Sequence, residues 1–118
     1  MNVIIIKGLK IEAAMGVTDA ERDNPQRLEV DALITPLESF AAVADDIDRT
    51  VDYQAAAQRI AEIAGARPRC LIETLASELA EMLVVEFHAG RAEVEVRKFV
   101  LPNTDYVAAR CLRQRNHA

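Results

Sequence analysis

Four side chains of this sequence are of types that move or hold protons, and one stands where strand patterning calls for an apolar residue. From Ala92 to Val100 the chain alternates, with Glu93, Glu95 and Arg97 on one face and Val94, Val96, Lys98 and Val100 on the other. An ammonium on the inward face is costly unless something pairs with it or uses it. Desolvation also eases loss of its proton, which suits a lysine to acid–base work. A strand end from which the long stem reaches water accounts for Lys98 as well. Glu21 lies in the loop Gly16-Val17-Thr18-Asp19-Ala20-Glu21-Arg22, where a solvated acid is ordinary. Tyr53 stands in the first turn of an expected helix, a common place for a half-exposed tyrosine. Glu73 falls in the first turn of a second helix, where the helix dipole alone favours a carboxylate. The apolar pair Leu71-Ile72 just before it points to a partly enclosed setting. Brought together, such groups could run general acid–base chemistry; none requires it by itself.

Other chemistries lack their signatures. His88 and His117 have no metal-ligand spacing with each other or with a cysteine, so no metal site is expected. His88 reads as an exposed helix-end residue near the last carbonyls, and His117 as part of a frayed tail. There is no phosphate-cradling glycine loop and no nucleophile elbow. The net charge of −5 argues against a general binder of nucleic-acid backbones. Arg110, Arg113 and Arg115 are the only basic concentration and read as a solvated strand end. Cys70 and Cys111 are too few for a disulfide framework and read as small core residues. Val3-Ile4-Ile5-Ile6 is too short to span a membrane and has no cleavage site, so a cytoplasmic protein is expected.

These residues need elements to hold them. The chain has 118 residues, 51% of them apolar and few aromatic, which fits one domain (1–118) with a core of Ala, Val, Ile and Leu. A first strand is expected from Val3 to Ala13. After a loop from Met15 to Gln26, a second strand places Leu28, Val30, Ala32 and Ile34 inward, and Pro36 ends it. The acidic stretch from Leu37 to Thr50 allows one helical turn near Ser39 to Ala44. Asp52 caps a helix to about Ala64, with a stripe of Ala56, Ile60 and Ile63, and Gly65 ends it. A second helix runs from Cys70 to about Phe87. The Lys98 strand and a last strand from about Asp105 to Arg113 complete an α+β order of β-β-α-α-β-β, a four-stranded sheet with both helices on one face. Open sheet edges in such a unit invite pairing in a closed ring, with pockets between copies.

Taken in order, Gly16-Val17 with Glu21-Arg22, Asp45-Asp46-Ile47, Val51-Asp52-Tyr53, Leu71-Ile72-Glu73-Thr74-Leu75-Ala76 and Lys98 resemble the dihydroneopterin aldolase family. The register holds from about Val3 to Leu112. The resemblance implies the tunnelling fold, an antiparallel four-stranded sheet backed by two helices, closing into tetrameric rings or octamers. It implies a lyase that cleaves 7,8-dihydroneopterin, with pterin sites between neighbouring subunits and no cofactor. Glu73 would anchor the pterin 2-amino and N3-H edge, beside Leu71 and Ile72. Tyr53 of a neighbour would lie near the ring, Glu21 would position the tail or a water, and Lys98 would assist proton transfer near N5. The departure is Phe99, which stands where many aldolases carry proline after the strand lysine. The related triphosphate epimerases also lack that proline, and Arg22, Arg97 and Arg110 are candidate partners for a phosphate tail. An epimerase and a non-catalytic pterin- or purine-binding ring therefore stand as alternatives.

Overall fold

The structure is a computed structural model and describes residues 2–116, so His117 lies outside the described residues. Strands β1 (Ile4–Ala13), β2 (Gln26–Thr35), β3 (Arg91–Lys98) and β4 (Val107–Gln114) form one antiparallel sheet in the order β1-β2-β3-β4. Among the described residues there are three α-helices, α1 (Asp19–Arg22), α2 (Tyr53–Ala66) and α3 (Ile72–Val85). The two long ones pack on one sheet face, α2 against β1 and α3 against β3 and β4. The expected β-β-α-α-β-β architecture is present, with the short α1 added in the loop after β1.

Alternation builds the core. Leu28, Val30, Ala32 and Ile34 of β2 and Ala92, Val94 and Val96 of β3 are buried beneath Ala56, Ile60, Leu75, Leu79 and Leu83 of the helices. Asp52 starts α2 by accepting the N–H groups of Gln54 and Ala55 at 3.1 and 3.2 Å. Gly65 does not end that helix. It stays helical, and Arg67 leaves with extended dihedrals because Pro68 follows it. The acidic connection forms the expected turn, with Ala42 and Val43 N–H donating to Ser39, and adds a 3-10 turn at Ile47–Arg49.

Other boundaries differ for local reasons. Cys70 lies two residues before α3 and is exposed rather than core, while Cys111 is half-buried. β3 stops at Lys98, and Val100 is exposed instead of continuing the inward face. The last carbonyls of α3 are met by the N–H groups of Glu86 and Ala89 and by Arg115 Nη2, rather than by His88, which is exposed with φ +56°. The C-terminal arginines are paired, not merely solvated: Arg110 with Glu95 and Arg113 with Glu81. In β1 the ladder is interrupted between Ile6 and Leu9. There Gly8, at φ +68°, turns its N–H to Asp31 Oδ1 at 2.7 Å, a bulge that a side chain at Gly8 would strain.

Candidate active site

The site is assembled at the end of the sheet where β1 finishes and β2 begins. Beyond Ala13 the chain pairs with the segment before α3: Gly16 N–H donates to Arg69 at 3.0 Å and Arg69 N–H to Ala14 at 3.0 Å. The buried Arg69 guanidinium donates to the carbonyls of Ile63 and Ala64 and to Glu78, tying the end of α2 to α3. Arg22 continues the tie, donating to the carbonyls of Gly16 and Val17 and to Cys70 Sγ at 3.5 Å. The loop bearing Glu21 and the segment leading into Leu71-Ile72-Glu73 are thereby held as one body.

Within that loop, Thr18 Oγ1 caps α1 by accepting Glu21 N–H at 3.2 Å, which fixes the root of the Glu21 side chain. Gly16 leaves room for it; a Cβ there would lie 2.6 Å from Glu21 Cδ. The carboxylate meets Lys98, whose Nζ donates to Glu21 Oε2 at 3.2 Å. Lys98 points to the inward side, as alternation predicts, with its side chain 13% exposed against 40% for Glu21. The pair explains how the strand tolerates a cation there. The hydrogen bond and charge of Lys98 hold the Glu21 carboxyl below the usual carboxylate range.

The remaining candidates are spread out. Ile72 is buried in the core, whereas Leu71 and Glu73 are exposed. The partly enclosed setting expected around Glu73 is not provided by this chain by itself. Tyr53 is exposed at the opposite end of α2 from the Arg69 tie. At 1.5 Å per residue, the eleven steps from Tyr53 to Ala64 span about 17 Å, which separates Tyr53 from the Arg69 tie by the length of the helix.

Sequence reading missed a second charged cluster, on the sheet face away from the helices. Arg97, a candidate partner for a phosphate tail on sequence, is 7% exposed. Its guanidinium forks onto Asp31 at 2.7 and 2.8 Å and reaches Glu95 at 2.8 Å. The Tyr106 ring lies over it at 5.4 Å. The Arg97 hydrogen bond brings the Asp31 carboxyl down to about 2. Arg110 and Arg97 likewise lower that of Glu95. The shared face of Asp31 and Arg97 was readable from alternation. Their adjacency depends on the β2–β3 register, which brings together these two residues 66 positions apart.

A four-stranded antiparallel sheet backed by two helices, with a lysine–glutamate pair at the end of its third strand, matches the α+β unit that the resemblance implies. A family model described as dihydroneopterin aldolase matches residues 4–111. Dihydroneopterin aldolase of Streptomyces coelicolor is 33% identical over 96 residues, 81% of this chain and 79% of the relative. Dihydroneopterin aldolase 1 of Arabidopsis thaliana is 30% identical over 118 residues, 96% of this chain and 81% of the relative. Two solved structures share the fold. Escherichia coli dihydroneopterin aldolase in complex with neopterin superposes with a TM-score of 0.86 at 24% identity, covering 96% of this chain and 99% of that one. A Burkholderia dihydroneopterin aldolase bound to guanine gives 0.78 at 22%, covering 98% and 92%. The chain belongs to the dihydroneopterin aldolase family.

Proposed function

We propose that this protein is a lyase of folate-type pterin biosynthesis. It cleaves 7,8-dihydroneopterin by a retro-aldol reaction to 6-hydroxymethyl-7,8-dihydropterin and glycolaldehyde. The observation that carries this reading is the Lys98–Glu21 pair at the strand end, in a chain of this family. Relatives bound to neopterin and guanine support a pterin-type ligand.

The chemistry fits the residues. Loss of the 2′-hydroxyl proton breaks the C1′–C2′ bond, and the electrons flow into the C6=N5 unit. Protonation of C1′ then releases the hydroxymethyl product. The pterin is its own electron sink, so positioned acids and bases suffice. Glu73, exposed in a single copy, accepts two hydrogen bonds from the 2-amino group and N3-H of the ring. Lys98 moves a proton near N5, and Glu21 orients it together with the substrate tail or a water. Tyr53 comes from a neighbouring copy, in keeping with its 62% exposure. Unpaired outer edges on β1 and β4 support closure into a tetrameric ring or an octamer. The 118 residues act as one domain and work in the cytoplasm; among the described residues no helix is long and apolar enough to cross a membrane.

Cleavage is favoured over epimerisation of a triphosphate because the candidate phosphate partners are engaged elsewhere. Arg22 is held by Asp19 and loop carbonyls, Arg97 by Asp31 and Glu95, and Arg110 by Glu95. Incubation with 7,8-dihydroneopterin, with products resolved by chromatography, tests the reading. Equal amounts of 6-hydroxymethyl-7,8-dihydropterin and glycolaldehyde are expected. Recovery of the 2′-epimer alone would make the protein an isomerase, and tight binding without turnover would make it a binding ring.

A further inference from the structure

Lys98 is the last residue of β3, and its ladder partner Val107 is the first of β4. Strand ends fray unless something beyond the ladder holds them. What holds this one is the residue just before Val107. The Tyr106 ring lies 5.4 Å over the Arg97 guanidinium, and its centroid is 6.2 Å from that of Phe99, edge to face at 69°. Arg97 and Phe99 are the two sequence neighbours of Lys98, so one ring grips the chain on both sides of the lysine. Arg97 is in turn fixed by the fork onto Asp31 in β2, which anchors the grip in the sheet. Phe99 and Tyr106 are each about half exposed, at 47% and 44%, so this contact is not a requirement of the core.

We propose that Tyr106 is a positioning residue for Lys98, clamping Arg97 and Phe99 so that the ammonium is presented at a fixed place. The inference rests on the proposed role of Lys98 in proton transfer and adds the element that aims it. It also gives Phe99 a purpose: a proline ring there would offer no aromatic face to Tyr106.

The test is turnover of 7,8-dihydroneopterin by the full chain and its variants. Tyr106→Ala should lower kcat about tenfold with KM changed less than about twofold, as for a displaced rather than a missing group. Tyr106→Phe keeps the ring and should retain wild-type kcat. In a Lys98→Ala background, Tyr106→Ala should cost nothing further, because the tyrosine acts through the lysine. An unchanged kcat in Tyr106→Ala, or a full additional loss in the double variant, would overturn the proposal. Should Tyr106→Ala not fold, Phe99→Ala removes the other contact and should lower kcat about threefold by the same argument; no change would again overturn it. An inactive wild type would sink the proposed function itself, whereas an active wild type with unaltered variants sinks only the clamp.

Discussion

Arg97 and Lys98 are consecutive cations on opposite faces of β3, and they are held in opposite ways. Arg97 is gripped by Asp31, Glu95 and the Tyr106 ring, all based on the sheet or its border. Lys98 has one carboxylate partner, Glu21, on a four-residue helix in a loop. A guanidinium forked onto buried carboxylates cannot trade partners without leaving charges uncompensated. An ammonium facing one half-exposed carboxylate can exchange it for a substrate atom at modest cost. The lesson is that adjacency in sequence does not imply similarity of role: the first cation is architecture and the second is available for chemistry.

That contrast can be broken by experiment. Arg97→Ala strands Asp31 beside Glu95 and should cost about 3–5 kcal/mol of stability, read from denaturant midpoints; a neutral result would remove Arg97 from the architecture. Lys98→Ala should do the reverse, lowering kcat about a hundredfold or more. Its unfolding midpoint should move by less than about 1 kcal/mol, since its partner is half exposed. A stability loss without a kinetic one would place Lys98 with Arg97.

Acid sharpens the comparison further. The Asp31 carboxyl stays ionised down to about pH 2 in the fold, against an ordinary 3.8. Its contribution is therefore complete above pH 3.8 and is lost as the pH falls towards 2, up to about 2 kcal/mol. Asp31→Asn should flatten that acid limb in a pH series of unfolding curves. Glu21, on the other face, is also lowered but exposed, and its variant should leave the limb unchanged. The smallest effect is expected from Gly16→Ala. A Cβ there intrudes on Glu21, and the backbone φ of +152° is unfavourable for alanine, at about 1 kcal/mol. NMR titration should show the Glu21 carboxyl rising towards its ordinary range as the contact with Lys98 loosens.

Local patterns carried much of this molecule. The alternation of Leu28, Val30, Ala32 and Ile34, the Asp52 cap and the inward Lys98 could all be read from neighbours in sequence. Relations between distant segments could not. Glu21 and Lys98 are 77 residues apart, and Arg97 and Asp31 are 66 apart. Periodicity assigns a side chain to a face but does not say what covers that face, which is why the Asp31 fork and Tyr106 ring around Arg97 could not be read from it. The same limit misplaced Cys70, whose apolar flanks suggested a core position although the chain there has not yet entered α3. The resemblance to a family linked Glu21, Glu73 and Lys98 across the chain, but it was silent on Tyr106, which lies in none of the matching motifs.

The bulge at Lys7 and Gly8 interrupts β1, the strand on one margin of the sheet. A margin interrupted in this way is selective about what pairs with it: a flat, regular strand laid against it loses register after Ile6, and Lys7 adds a charge at the same place. The glycine that permits the bulge thereby narrows the range of strands that β1 accepts. Its replacement would be felt first as poor solubility and off-pathway association during synthesis, in cells whose purified, correctly assembled enzyme still turned over normally.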